Sequence, residues 1–151
     1  MHRAIAGRVL AAVAGIAGIG SAGAVTLEDM TGFETLYGRY GPGGDCAKYP
    51  QVVIDAAGFV LDRGQGRVER ASRPEYSASF FGPEYAGISA AFWPYWNDAG
   101  GNPFVVFANH DEKPGALVVE PHDFGWKGGP PMPARFQPWL DGSPYARCDT
   151  R

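Results

Sequence analysis

Two histidines stand beside acids. His110 begins "HDE" and His122 lies in "EPHD". A histidine with a carboxylate neighbour can act as a general base or as one ligand of a metal. The segments around them, "PFVVFANH" and "GALVVEPH", read as two strands joined through Asp111-Glu112-Lys113-Pro114-Gly115. Such a hairpin sets the histidines at opposite ends of one ladder, about 20 Å apart at ~3.4 Å per residue. They cannot share a metal, and zinc needs three or four ligands. No metal and no cofactor is therefore expected. Each histidine with its own adjacent acid leaves a small secreted hydrolase as the alternative functional reading.

Other chemical motifs fall away on inspection. "GISAA" places Ser89 in a sequence like the G-x-S-x-G nucleophile elbow, but Ala91 stands where the second glycine belongs. The elbow also needs an α/β scaffold that this turn-rich chain does not offer. "GPGGDC" lacks the G-K-[ST] ending that places a lysine on phosphates and a hydroxyl on magnesium. It reads as a turn that delivers Cys46. Asp55, Asp62 and Glu120 are strand-end or strand carboxylates of the kind glycosidases pair, but a sequence does not give their separation.

The most distinctive remaining feature is aromatic. Phe92-Trp93-Pro94-Tyr95-Trp96 puts four rings into five residues. Neighbours on a strand face opposite sides, so the four cannot all enter one core. Exposed Trp and Tyr rings suit sugar faces and protein partners. Phe92, Trp93, Tyr95 and Trp96, with Trp126 from the later "DFGWKGGPPMPARFQPW", are the expected ligand-binding residues. The opposing possibility is that they cap an open barrel end.

These residues must be positioned by a small domain. Residues 1–24 read as a cleaved secretory signal: a basic start with Arg3 and Arg8, an apolar run from Val9 to Gly20, and Ala22-Gly23-Ala24 as the small-residue cleavage site. The run is too short to span ~30 Å of hydrocarbon, so no stable membrane span is expected after cleavage. The mature part, residues 25–151, suits one domain. With Arg3 and Arg8 gone, the 13 basic residues become 11 against 16 acidic, and the formal charge moves from −3 to −5. The charges are scattered and form no basic run, which argues against nucleic acid as a partner.

Five of the 22 glycines lie in the signal, but all 13 prolines and all of the 9 Phe, 7 Tyr and 4 Trp lie beyond it. The glycine and proline argue for turns, and the aromatics for a core large enough to offset ordering entropy. Cys46 and Cys148 are the only cysteines. An even pair in an exported chain predicts a disulfide.

Strand signals dominate. "QVVID" and "GFVLD" read as a hairpin through Asp55-Ala56-Ala57-Gly58, with Gly58 at the position of positive φ. "GRVERAS" and "EYSASFF" follow. "TLEDMTGFETLYG" reads as a short helix or packed arm, "WKGGPPMPARFQPW" as a loop, and "YARC" as a last short strand. Seven to nine short strands with local connections predict an all-β fold, a small meander-like antiparallel barrel or sandwich with Gly/Pro-rich loops. In a meander that closes into a barrel the first and last strand regions are neighbours, so the fold and the Cys46–Cys148 pairing support one another. The expectation is an exported (periplasmic or secreted), non-catalytic binding protein with a protein or carbohydrate ligand. An inhibitor of a secreted enzyme is one version of it.

Overall fold

A computed structural model describes residues 24–80, 88–96, 103–110, 113–122, 128 and 131–148. The side chains of residues 79, 80, 88 and 89 are excepted, Ser89 among them. Residues 1–23, where the signal is expected, lie outside the described residues, as do Asp111, Glu112, Asp123 and Trp126.

The chain is all-β. Ten strands are described: β1 (Val25–Thr26), β2 (Gly38–Pro42), β3 (Gln51–Asp55), β4 (Gly58–Asp62), β5 (Val68–Ala71), β6 (Glu75–Phe80), β7 (Ile88–Trp93), β8 (Phe104–Ala108), β9 (Ala116–Pro121) and β10 (Tyr145–Arg147). They form one antiparallel sheet in the order β1-β6-β7-β8-β9-β10-β2-β3-β4-β5, curled into a half-barrel. The count is one above the upper expectation. The added strand is β1, whose two residues are too few to show a period in sequence.

Two meanders make the sheet. β2 to β5 run as consecutive neighbours, and so do β6 to β10. The pairing of β10 with β2 joins them, with Tyr145 opposite Pro42 and Arg147 opposite Tyr40. The Cys46–Cys148 disulfide lies beside this junction, with Cα atoms 5.8 Å apart. The glycines of "GPGGDC" make the turn that brings Cys46 there. Gly43 and Gly44 have φ of 58° and 84°, and a Cβ on Gly41 would stand 2.5 Å from the Asp45 carbonyl oxygen.

Both clear hairpins form as their sequences dictate. β3 and β4 pair from Gln51↔Asp62 to Asp55↔Gly58, and Gly58 has φ of 129°. β8 and β9 pair from Phe104↔Pro121 to Ala108↔Leu117. The "QPW" end of the presumed loop is instead a short helix, α1 (Gln137–Asp141). Pro138 sits in its first turn, where a missing N–H costs nothing. Trp139 is fully buried and holds the helix to the sheet, and complete burial of a large side chain is worth about 2–3 kcal/mol.

The core lies inside the curl. Tyr40, Phe59, Phe92, Phe104, Trp139 and Tyr145 have at most 1% exposure. The two tyrosine hydroxyls are satisfied: Tyr40 donates to the Leu36 carbonyl at 2.6 Å and Tyr145 to the Trp139 carbonyl at 2.8 Å. The arm before β2 packs Leu27, Met30, Phe33 and Leu36 against this core, with a 3-10 turn over Glu34–Leu36.

Candidate functional site

The aromatic run is divided by strand geometry. On β7, Phe92 faces inward and packs near Phe59 and Tyr76, with ring centroids 5.3 Å away in each case. It is fully buried and takes no part in any cleft. Trp93 faces the opposite side of the sheet, where it packs against a smaller apolar group of Ala91, Val105 and Phe107. Its indole N–H donates to His122 Nδ1 at 2.9 Å. Strand alternation ends at Pro94, and the next two residues then diverge. Tyr95 turns back inward against Phe104, Phe136 and Trp139. Trp96 turns outward and stays 40% exposed, its ring 6.3 Å from that of Trp93.

Tyr95 does more than fill space. Consecutive β5 and β6 are not paired, so the half-barrel has an open seam there. The Tyr95 hydroxyl crosses it and donates to Glu69 Oε1 at 2.8 Å. Burial, and then the adjoining Glu69 carboxylate, push the phenol well above its ordinary pKa. It therefore stays protonated as a donor. Glu69 also accepts from Arg63 at 2.7 Å, and the same Arg63 nitrogen donates to the Arg135 carbonyl at 2.6 Å. Arg135 lies over the Phe136 ring at 4.2 Å and near Tyr95 at 5.9 Å.

A cleft of about 500 Å³ opens along this seam. One wall is five consecutive residues, Glu69, Arg70, Ala71, Ser72 and Arg73. The other is Pro94, Tyr95 and Trp96, with Arg135. Its volume falls within the roughly 300–1,000 Å³ usual for ligand clefts. Three guanidinium groups and one carboxylate line it. Arg70 is held by Asp55 through two bonds of 2.8 and 2.7 Å, and Arg73 by Glu28 at 2.8 Å. Neither of those acids lines the cleft.

The chain matches no family model, no curated protein and no solved structure.

The histidines are separated as the hairpin requires. Asn109 N–H donates to the Ala116 carbonyl, and His122 N–H to the Pro103 carbonyl at the far end of the same ladder. His122 Nδ1 is engaged as the acceptor of the Trp93 indole N–H. Among the described residues no three His, Cys, Asp or Glu side chains gather in a way that could hold a metal. His110 lines a separate, mainly apolar cleft of about 370 Å³ with Lys113, Val118 and Tyr145.

Of the expected binding residues, Tyr95 and Trp96 reach the cleft, and Trp93 supports Trp96 from behind. Arg70, Arg73 and Arg135 were not legible as site residues. Arg135 is far in sequence from Arg70 and Arg73, and only the curl of the sheet brings it beside them.

Proposed function

We propose that this is an exported, non-catalytic binding protein that holds its ligand in the seam cleft, against the Tyr95–Trp96 shelf. The observation that carries this reading is Trp96: a tryptophan 40% exposed at the wall of a cleft lined by charged side chains. An indole at a cleft wall offers an apolar face and a polar N–H together, the combination that makes Trp and Tyr frequent at binding contacts. The paired cysteines agree with an oxidising compartment, and no helix among the described residues is long and apolar enough to cross a membrane. For His122 the hydrolase alternative draws less support, because its Nδ1 already accepts from Trp93.

The test is capture from envelope extract by the wild-type protein and by Trp96→Ala, with thermal unfolding recorded for both. Trp96 is exposed at the cleft wall, so its truncation should leave the unfolding temperature nearly unchanged and remove the captured ligand. Equal recovery of every bound species by both proteins would overturn the assignment of the site.

A further inference from the structure

Resting on that reading of the cleft, we infer that its ligand is a neutral carbohydrate, with a pyranose ring stacked on Trp96 and its hydroxyls bonded to the ion-paired side chains beside it.

The charges of the cleft are the first ground. Its charged lining residues are Glu69, Arg70, Arg73 and Arg135. Arg70 is held by Asp55 at 2.8 and 2.7 Å, Arg73 by Glu28 at 2.8 Å, and Glu69 by Arg63 at 2.7 Å. Arg135 lies over the Phe136 ring. An anion entering here would compete with carboxylates already in place, at the short distances of charge-assisted bonds. A wholly apolar occupant would strip water from guanidinium and carboxylate groups without replacing its hydrogen bonds. These walls suit an uncharged molecule rich in groups that both donate and accept.

The paired side chains can still bond further, which is the second ground. A guanidinium has five N–H donors, and an ionised carboxylate about four acceptor sites. Arg70 uses two donors on Asp55, and Arg73 one on Glu28. Ser72 adds an exposed hydroxyl on the same wall. Donors and acceptors therefore sit side by side, held in position by their ion pairs. A hydroxyl donates once and accepts twice, so it can use both kinds.

Trp96 supplies the third ground. Its indole is 40% exposed, and the edge-to-face contact with Trp93, at 6.3 Å and 71°, sets its orientation. The chain just before it is anchored by Tyr95 against Phe136 at 4.7 Å. The result is a fixed aromatic face, which carries the negative side of the ring quadrupole. A pyranose whose hydroxyls are equatorial presents axial C–H bonds to such a face and a rim of hydroxyls around it. One ligand class thus answers both walls of the cleft, the ring on one side and the paired charges on the other.

The experiment titrates three neutral probes of this kind, cellohexaose, maltohexaose and chitohexaose, into the disulfide-bonded protein by calorimetry. Hexagalacturonate and a blocked hexapeptide of serine, asparagine and glycine are the comparison probes. Thermal unfolding is recorded for every variant. The inference expects saturable binding of at least one neutral oligosaccharide, little changed between low salt and ~0.5 M sodium chloride, because no ligand charge is there to be screened. Trp96→Ala should weaken it at least about tenfold, whereas Trp96→Tyr, which keeps an aromatic face, should retain most of it. Arg70→Ala should weaken it as well, while Asp55 keeps the bond from the Ala57 N–H. Binding of none of the three oligosaccharides overturns the inference. If capture from envelope extract still depends on Trp96 in that case, the cleft reading stands without it. Tighter binding of hexagalacturonate, or loss of oligosaccharide binding at high salt, overturns the neutral assignment. Binding of the peptide alone overturns the carbohydrate class. Oligosaccharide binding indifferent to Trp96→Ala removes the cleft as its site.

Discussion

The half-barrel is closed in two different ways at two places. At the β10–β2 junction the main chain does the work. Three residue pairs form a ladder, Cys148 N–H donates to the Arg39 carbonyl at 2.7 Å, and Gly43 N–H donates to the Pro144 carbonyl at 2.9 Å. The disulfide lies across the same place, and Arg147 reaches both the Thr35 carbonyl and the Tyr40 hydroxyl. At the β5–β6 seam no ladder forms. Side chains span the gap instead, Tyr95 to Glu69 and Arg63 to Glu69, while the N-terminal arm bonds to the Pro74 and Ala56 carbonyls. A ladder consumes edge donors and acceptors. A side-chain clasp does not, so the seam is the less complete closure of the two. It should also be the region that opens first in the native state, since regions with fewer buried contacts and main-chain bonds open at lower free energy.

The largest effect expected comes from breaking the sewn junction. The disulfide joins residues 102 apart in sequence. In the chain-entropy account a loop of that length stabilises by about 4–5 kcal/mol. Cys46→Ala/Cys148→Ala should lower stability by roughly this amount, read as a fall in the urea midpoint with a steeper slope, because the unfolded chain without its cross-link exposes more surface. A loss under about 1 kcal/mol would mean that the ladder alone holds the junction, and the contrast between the two closures would then rest on hydrogen bonds only.

A smaller effect is expected at the seam. Tyr95→Phe keeps the ring against Phe104 and Trp139 and removes only the donor to Glu69. Bonds to charged acceptors contribute about 1.5–3 kcal/mol, and Glu69 keeps Arg63, so a loss near the lower end is expected. The more telling readout is hydrogen exchange. Amides of β5 should exchange faster, while those of β2 and β10 should not change. Uniform acceleration across the sheet would show that seam and junction open together, as one cooperative unit.

The two regions also differ in how far the sequence reveals them. The junction was legible. Two cysteines near the ends of a meander, a glycine turn before one of them and a short strand before the other lead to the observed pairing. The hairpins on either side follow from β-branched runs and turn residues, which are local signals. The seam was not legible. Alternation places Phe92 inside and Trp93 outside, but it stops at Pro94, and nothing in "PYW" says that Tyr95 returns to the core and Trp96 does not. Trp139 and Trp96 are the same residue type with opposite fates. Trp139 is buried by a five-residue helix too short to show a period. Arg70, Arg73 and Arg135 read as scattered surface charge, and they become a lining only through sheet curvature. β1 escaped for the same reason as α1: with two residues, its pairing to β6 is a tertiary fact.

That short edge strand provides the finest test of the comparison. Thr26 of β1 faces Glu75 of β6, and Glu75 is only 6% exposed. Its Oε1 accepts from the Thr26 hydroxyl at a long 3.3 Å, while its buried Oε2 has no hydrogen-bond partner. Burial pushes the carboxyl above the ordinary glutamate value, and the Thr26 bond offsets only part of that shift. A carboxyl whose pKa is raised on folding favours the protonated form. Its contribution to stability is fully present below the unfolded value, about 4.3, and is lost as pH rises through the folded value. At neutral pH the charged group is thus a liability in the β1–β6 pairing. Glu75→Gln should raise stability at pH 7 by about 1 kcal/mol, the scale of an unsatisfied buried polar group. The gain should shrink to nothing below about pH 4, where glutamate is itself neutral. Exchange should slow at β1 and β6 and stay unchanged at β10 and β2. A loss of stability at pH 7 would mean that the Glu75 carboxylate is engaged by a positive partner, and that the seam is clasped at both of its margins.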